Sequence, residues 1–235
     1  MTSTPNPLGP SRYFPDPDEI ENDYGIVALG LPLRREILVD AYSHGIFPWP
    51  HGRGAVPWCS PDPRAVLPLE SPHWSRRLLR TVRSGKFEVS FNRDFAAVIR
   101  ACATTGNRTN EMWITPAMRR AYINLHETGL AHSVETRLDG VLVGGTYGVA
   151  IRGLFAGESM FHLVTDASTV AIHHLCEHLR ARGFSLFDIQ MLTPHTARFG
   201  AVEISRAEYV RRLHAALKLK NVRFHDGPEP PAPPS

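Results

Sequence analysis

Three polar residues interrupt apolar runs of the sequence. Glu158 lies in LFAGESMF, and Asp188 and Gln190 lie in SLFDIQML. Burying an unpaired carboxylate is costly or raises its pKa, so these residues either face solvent or form a site. Asp188 and Gln190 are two positions apart on a predicted strand and share one face. With Glu158, expected at the end of its own strand, they would form a small site bearing carboxylates and an amide.

Arginines recur along one predicted helix, SRRLLRTVR. Arg76, Arg80 and Arg83 stand at i, i+4 and i+7 and share a face, and no acidic residue at i+4 pairs with them. Two interpretations stay open, a solvated helix face and a phosphate-binding face.

Trp49 and Trp113 each stand beside turn-forming residues. An aromatic ring near a basic surface can stack on an unpaired base, whereas a tryptophan in the core only packs. The sequence leaves both possibilities open.

The sequence His174-Leu175-Cys176-Glu177-His178 matches the H-x-x-E-H pattern of some zinc peptidases. A helical wheel predicts a buried stripe of four residues: Ile172, Leu175, Cys176 and Leu179. His174 and His178 fall off this stripe and Glu177 lies nearly opposite it. We therefore predict no metal site, and a zinc peptidase stays a less favoured alternative.

Composition indicates a globular protein of 235 residues, 43% hydrophobic and 21% charged, with a net charge of +3. Cys59, Cys102 and Cys176 form no CxxC pair, which favours a reducing cytosol over a disulfide scaffold. The N-terminus lacks the features of a signal peptide, and GVLVGGTYGVAI is shorter than the roughly 20 residues that a membrane helix needs. We predict a cytoplasmic protein with no membrane contact.

Proline placement divides the chain. Most of the 20 prolines stand before residue 73 or within the last eight residues. We predict a disordered N-terminal extension over 1–12, a small N-terminal domain over 13–72, a catalytic domain over 73–222 and a disordered proline-rich tail over 223–235.

Local signals predict helices over 33–44, 75–84, 115–127, 165–182 and 206–219, with Thr115 as an N-cap and Pro116 at the first helical position. Three extended runs between 132 and 161 are separated by Asp-Gly and Arg-Gly, and Asp-Gly between such runs favours a hairpin turn. A further strand is predicted over 184–191. Three strands followed by helix, strand and helix indicate an α+β fold with a mixed sheet.

Eight segments appear in order between residues 14 and 217: FPDP, AYSHGIFPW, SPDPRAVLP, AHSVE, LVGG, GESMF, FDIQ and EISR. Together they resemble the leucyl/phenylalanyl-tRNA–protein transferase family. The resemblance implies a small N-terminal domain joined to a GCN5-related acetyltransferase-like domain. HLVTDAS lacks the glycine-rich turn that coenzyme A binding needs, so no cofactor is expected.

The resemblance also implies an activity. Leucine or phenylalanine would pass from aminoacyl-tRNA to an N-terminal Arg or Lys of an acceptor protein, marking it for degradation by the N-end rule pathway. Gln190 would contact the attacking amine, Asp188 would orient Gln190, and Glu158 would contact a cationic substrate group. A non-catalytic tRNA-binding protein is the alternative.

For the tRNA, the resemblance implies that Trp49 and Trp113 stack on the terminal adenosine. Arg76, Arg80 and Arg83 would follow the acceptor-stem phosphates. The donor side chain would enter an apolar pocket formed by five residues: Met160, Thr146, Ile172, Leu175 and Leu179.

Five positions depart from the family's usual residues: Thr146, Cys59, Arg137, His162 and Thr169. Thr146 stands where the family normally has Met or Leu. The preference among apolar donors is therefore left open.

Overall fold

The computed structural model describes residues 6–20, 22, 24–50, 54–105 and 114–225. Within them the α-helices are α1 Arg35–Ser43, α2 Arg76–Arg83, α3 Phe95–Thr104, α4 Pro116–Glu127, α5 Ala167–Ala181, α6 Pro194–Ala197 and α7 Arg206–Leu217. The strands are β1 Ile26–Leu29, β2 Phe47–Pro48, β3 Pro57–Cys59, β4 Arg64–Val66, β5 Glu88–Phe91, β6 Ala131–Leu138, β7 Val141–Ile151, β8 Leu154–His162, β9 Leu186–Gln190 and β10 Val202–Ile204.

These strands form two sheets. The small one is antiparallel with the order β1-β3-β2, and the large one has the order β10-β4-β9-β8-β7-β6-β5. All neighbours in the large sheet are antiparallel except β8 and β9, which α5 connects. The predicted α+β class is confirmed, while the GCN5-related acetyltransferase likeness stays a prediction.

The parallel pair β8–β9 opens partway along its length. Its pairing runs from Leu154 opposite Leu186 to Ala156 opposite Asp188. Beyond that point β8 stays paired with β7, and β9 stays paired with β4. A gap therefore forms in the middle of the sheet, and the strands that border it are fixed from their outer sides.

One apolar cluster connects the two sheets. It contains Leu38 and Trp58 of the N-terminal part together with Val149 and Leu213 of the rest. The predicted boundary at residue 72 stays a prediction, and β4, which precedes it, pairs within the large sheet. At the other end, Phe224 is buried against the core.

Most of the local predictions are confirmed. The Thr115 side chain caps α4 by accepting from Met118 N at 3.2 Å, and Pro116 begins the helix. The Asp-Gly turn joins β6 to β7, with positive φ at both Asp139 and Gly140. Helix α3 was not predicted, although Asp94 caps it by accepting from Ala97 N at 3.0 Å.

Within the described residues, no helix combines the length and the hydropathy that crossing a bilayer requires.

Candidate active site

A cavity of about 760 Å³ occupies the gap between β8 and β9. Its walls come from β2, β7, β8, β9, α5 and the residues around α6. Glu158 and Gln190 both line it, one from each of the parted strands. The gap in the sheet therefore brings the polar residues of two separate apolar runs to one cavity.

Asp188 lies behind the cavity wall and is fully buried. Its Oδ1 accepts from Arg64 Nε at 2.9 Å and from the backbone N–H of Gln190 at 2.9 Å. Its Oδ2 accepts from Arg64 Nη2 at 2.6 Å and from the Tyr209 hydroxyl at 2.9 Å. The carboxylate is thus paired with a cation and holds four hydrogen bonds.

Arg64 was not among the predicted site residues. Its guanidinium lies between the rings of Phe47 and Tyr209, 4.7 and 4.4 Å from their centroids, and donates to Gly45 O at 3.0 Å. Burial acts to lower its pKa, but the charge of Asp188, the two nearby tyrosines and the hydrogen bonds to Asp188 together outweigh burial, and the pKa is raised. The sequence holds a signal for Arg64, because this charged residue begins the apolar run RAVL. Glu158 is likewise a charged residue within an apolar run.

Gln190 ends β9 in a left-handed conformation, with a φ of 59°. Strand alternation therefore does not by itself set the direction of its side chain. The residue is 8% exposed, and its Nε2 has no hydrogen-bond partner among the described residues. An unsatisfied buried amide costs about 1–3 kcal/mol, and no group in the described part of the chain offsets this cost.

Glu158 lies in the middle of β8 and not at the strand end where it was predicted. Its Oε1 accepts from the Tyr42 hydroxyl at 2.6 Å and its Oε2 from the Tyr122 hydroxyl at 2.9 Å. Burial raises the pKa of Glu158 to about 7, although both hydroxyls act to lower it. Sequence reasoning missed both tyrosines, which come from α1 and α4.

The solvent-facing interpretation of the polar residues is wrong. Asp188 is fully buried, Gln190 is nearly so, and Glu158 is half-buried on the cavity wall. Their roles in a reaction stay a prediction.

Three of the five residues expected to form the donor pocket line this cavity, and their role in holding a donor stays a prediction. Thr146, Met160 and Ile172 line it, whereas Leu175 and Leu179 of α5 are fully buried in the core and do not. The Thr146 hydroxyl donates to the Ser159 carbonyl oxygen at 2.9 Å. Since a backbone carbonyl satisfies this hydroxyl, the residue adds no unpaired donor to the apolar wall.

Trp49 follows β2, is half-buried and lines the same cavity. Its ring lies 6.4 Å from that of Phe47. Trp113 lies outside the described residues, so its expected role is a prediction without a structural counterpart.

The predicted basic face is present on α2. Arg76, Arg80 and Arg83 are exposed, and within the described part of the chain none of them forms an ion pair. Arg77, on another side of the helix, pairs with Asp166 at 2.7 Å. The turn before α2 packs on α5, where Trp74 contacts the ring of His173.

The residues of the H-x-x-E-H sequence have other contacts. His178 Nε2 donates to the Phe224 carbonyl oxygen at 2.8 Å, and Glu177 pairs with Arg180 at 2.6 Å. Among the residues that the structure describes, no group of three or more His, Cys, Asp or Glu is placed to hold a metal ion.

Comparison with known proteins identifies the family. The family model described as leucyl/phenylalanyl-tRNA protein transferase matches residues 66–214, and the model of its N-terminal domain matches residues 32–62. The chain belongs to this family, which confirms the resemblance seen in the sequence motifs.

Curated relatives agree with this assignment. The chain is 47% identical over 212 residues to the leucyl/phenylalanyl-tRNA–protein transferase of Pseudomonas putida, covering 90% of this chain and 94% of the relative. It is 48% identical over 206 residues to that of Nitratidesulfovibrio vulgaris, covering 87% and 88%. A solved structure of L-PGS from Bacillus licheniformis is similar to this chain with a TM-score of 0.43 and 10% identity. The match covers 78% of this chain and 70% of that one.

Proposed function

We propose that this protein transfers leucine or phenylalanine from aminoacyl-tRNA to the N-terminal Arg or Lys of an acceptor protein in the bacterial cytoplasm. Family membership over most of the chain supports the reaction class. The structural observation that carries the proposal is the position of Gln190 on the wall of a cavity of about 760 Å³, with a buried Nε2 that has no hydrogen-bond partner among the described residues. A cavity of this size accommodates an aminoacyl ester and the end of a peptide.

The reaction joins an amine to an activated ester. The acceptor nitrogen attacks the ester carbonyl carbon, the bond to the ribose oxygen breaks, and an amide forms. The ester is already activated, so the protein contributes mainly by orienting the two substrates and by helping the terminal ammonium to lose its proton.

Gln190 is the proposed contact of the attacking amine. Its side chain lines the cavity, and its backbone N–H is tied to Asp188 Oδ1 at 2.9 Å. Asp188 is in turn fixed by Arg64 and Tyr209. This chain of contacts supports a role for Asp188 in holding Gln190 in place as substrates bind.

In this proposal, each part of the two substrates contacts its own residues in the cavity or on the surface. The donor side chain would lie against Thr146, Met160 and Ile172, and the terminal adenosine would lie against Trp49. The acceptor stem would follow the exposed arginines of α2, which contact phosphates and not bases. Glu158, also on the cavity wall, would contact a cationic group of the acceptor.

A transfer assay tests the proposal. Labelled leucyl- or phenylalanyl-tRNA is mixed with the protein and a peptide that begins with Arg, beside a peptide that differs only by an N-terminal Gly. Transfer to the Arg peptide is expected, and the Leu-to-Phe ratio reports the donor preference set around Thr146. Tight tRNA binding without transfer would contradict the proposal and favour a binding protein.

A further inference from the structure

Glu158, Tyr42 and Tyr122 form a closed hydrogen-bonded ring. Each tyrosine hydroxyl contacts a different carboxylate oxygen of Glu158, at 2.6 and 2.9 Å. The two hydroxyls also contact one another. The ring is built from α1, α4 and β8, and Glu158 lines the cavity.

The number of protons that the ring shares depends on the charge of Glu158. When Glu158 is ionised, the two hydroxyl protons serve three oxygen–oxygen contacts, so one contact has no proton. When Glu158 is protonated, three protons serve three contacts, and each oxygen is either a donor, an acceptor or both. The ring can therefore take up one proton without leaving any of its groups unpaired.

Asp188 and Gln190, the two other polar residues of the expected site, are poorly suited to accept a proton. Asp188 holds four hydrogen bonds and is paired with Arg64, and the amide of Gln190 is not a base. Glu158 and Gln190 each stand two residues beyond the last paired positions, Ala156 and Asp188, and both line the cavity. His162 lies four residues beyond Glu158, or about 13 Å along the strand.

We propose that Glu158 accepts the proton released by the acceptor's terminal ammonium, with Tyr42 and Tyr122 as positioning residues. This inference rests on the proposed function. The ammonium is then the cationic group that Glu158 contacts. Glu158 accepts its proton, and Gln190 orients the attacking amine.

The electrostatic setting of Glu158 supports this role. Burial raises its pKa to about 7, close to the value of about 8 for a terminal ammonium. The charged and titratable groups that act on it are Tyr42 of α1, Tyr122 of α4, Asp188 of β9 and Arg64 of β4. Asp188 acts to raise the pKa, and the two tyrosines and Arg64 act to lower it. A base with a pKa near the working pH is effective in general base catalysis.

The acceptor nitrogen loses two protons during the transfer. A proton leaves the ammonium nitrogen for a carboxylate oxygen of Glu158, and the freed lone pair attacks the ester carbon. As the bond to the ribose oxygen breaks, a second proton passes from the attacking nitrogen to that oxygen. Glu158 then releases its proton to solvent, so each transfer yields one amide, one free tRNA and one proton.

Glu158→Gln tests the inference with two acceptors. One acceptor is the Arg peptide, and the other is the same peptide with an aminooxy group in place of its terminal amine, which is unprotonated at neutral pH. The variant should lower the rate for the amine acceptor on the order of 100-fold at pH 7. The aminooxy rate should stay nearly unchanged, because that nucleophile has no ammonium proton to lose.

Both rates are measured on the same preparation, so their ratio does not depend on the fraction of the protein that is folded. Glutamine also resembles the protonated ring, since its amide supplies the third proton to the two tyrosines. Equal losses for both acceptors would overturn the inference and leave Glu158 as a charge contact. Failure of wild type with both acceptors would instead overturn the proposed function.

The wild-type protein gives a second readout. With the acceptor well below saturation, the rate for the amine should fall below about pH 7, because Glu158 of the free protein becomes protonated there. A fall that begins at about pH 8 would follow the ammonium itself and would contradict the inference.

Discussion

Arg64 holds Asp188 through two parallel hydrogen bonds, Nε to Oδ1 at 2.9 Å and Nη2 to Oδ2 at 2.6 Å. The two residues lie on the paired strands β4 and β9 and are 124 positions apart in the sequence. Both are buried, so the pair fixes the carboxylate without access to water. This pair connects the segment before residue 72 to the cavity wall.

Arg64→Ala should destabilise the protein by about 3–5 kcal/mol, because it leaves Asp188 as a buried charge without its partner. Urea unfolding measures this directly. Arg93→Ala is the matched control, since Arg93 forms an exposed pair with Glu88 that is worth at most about 1 kcal/mol. Equal costs for the two variants would contradict a structural role for the buried pair.

Gln190→Ala should lower transfer by about tenfold or more and change stability little, because the side-chain Nε2 makes no hydrogen bond to the described residues. Transfer rates and thermal unfolding are measured on the same preparation. Met191→Ala is the control, since Met191 lines the same cavity without an amide. Near-wild-type transfer by Gln190→Ala would remove Gln190 from the mechanism.

Replacing Arg76 and Arg80 together by Ala should weaken tRNA binding and reduce its salt dependence. Each lost phosphate contact lowers the slope of log K against log salt by about one. The control replaces Arg211 and Arg212, which pair with Glu208 on α7. An unchanged slope in the α2 variant would mean that this face is only solvated.

Glu158→Gln should change how stability depends on pH. The folded state raises the pKa of Glu158 from 4.5 to about 7, so it binds that proton more tightly than the unfolded state does. This stabilisation is fully present below about pH 4.5 and is lost as the pH rises through about 7. Relative to the wild type, the free energy of unfolding of the variant should therefore rise by up to about 3 kcal/mol between pH 4 and pH 8. Urea unfolding at both pH values measures the gain, and a difference that does not vary with pH would contradict the shifted pKa.

Local chemistry predicted much of the fold. Thr115 caps α4, Pro116 begins that helix, and the Asp-Gly turn joins two strands, as the sequence predicted. The bounds of α7 differ from the prediction only at its end, which comes at Leu217 and not at residue 219.

The partners of the site residues could not be predicted in this way. Arg64 reaches Asp188 because β4 inserts beside β9, and the tyrosines reach Glu158 from two separate helices. Such contacts depend on long-range pairing and packing, which leave no local pattern in the sequence. The apolar run around each polar residue indicated burial, but it did not identify the partner.

The most direct test of the central claim is the mass of the product formed by the wild-type protein. Leucyl-tRNA is incubated with the Arg peptide and, separately, with the same peptide acetylated at its N-terminus. We expect the free peptide to gain one leucyl residue on its terminal nitrogen and the acetylated peptide to stay unchanged. Leucine released only as the free acid, with both peptides unchanged, would contradict it.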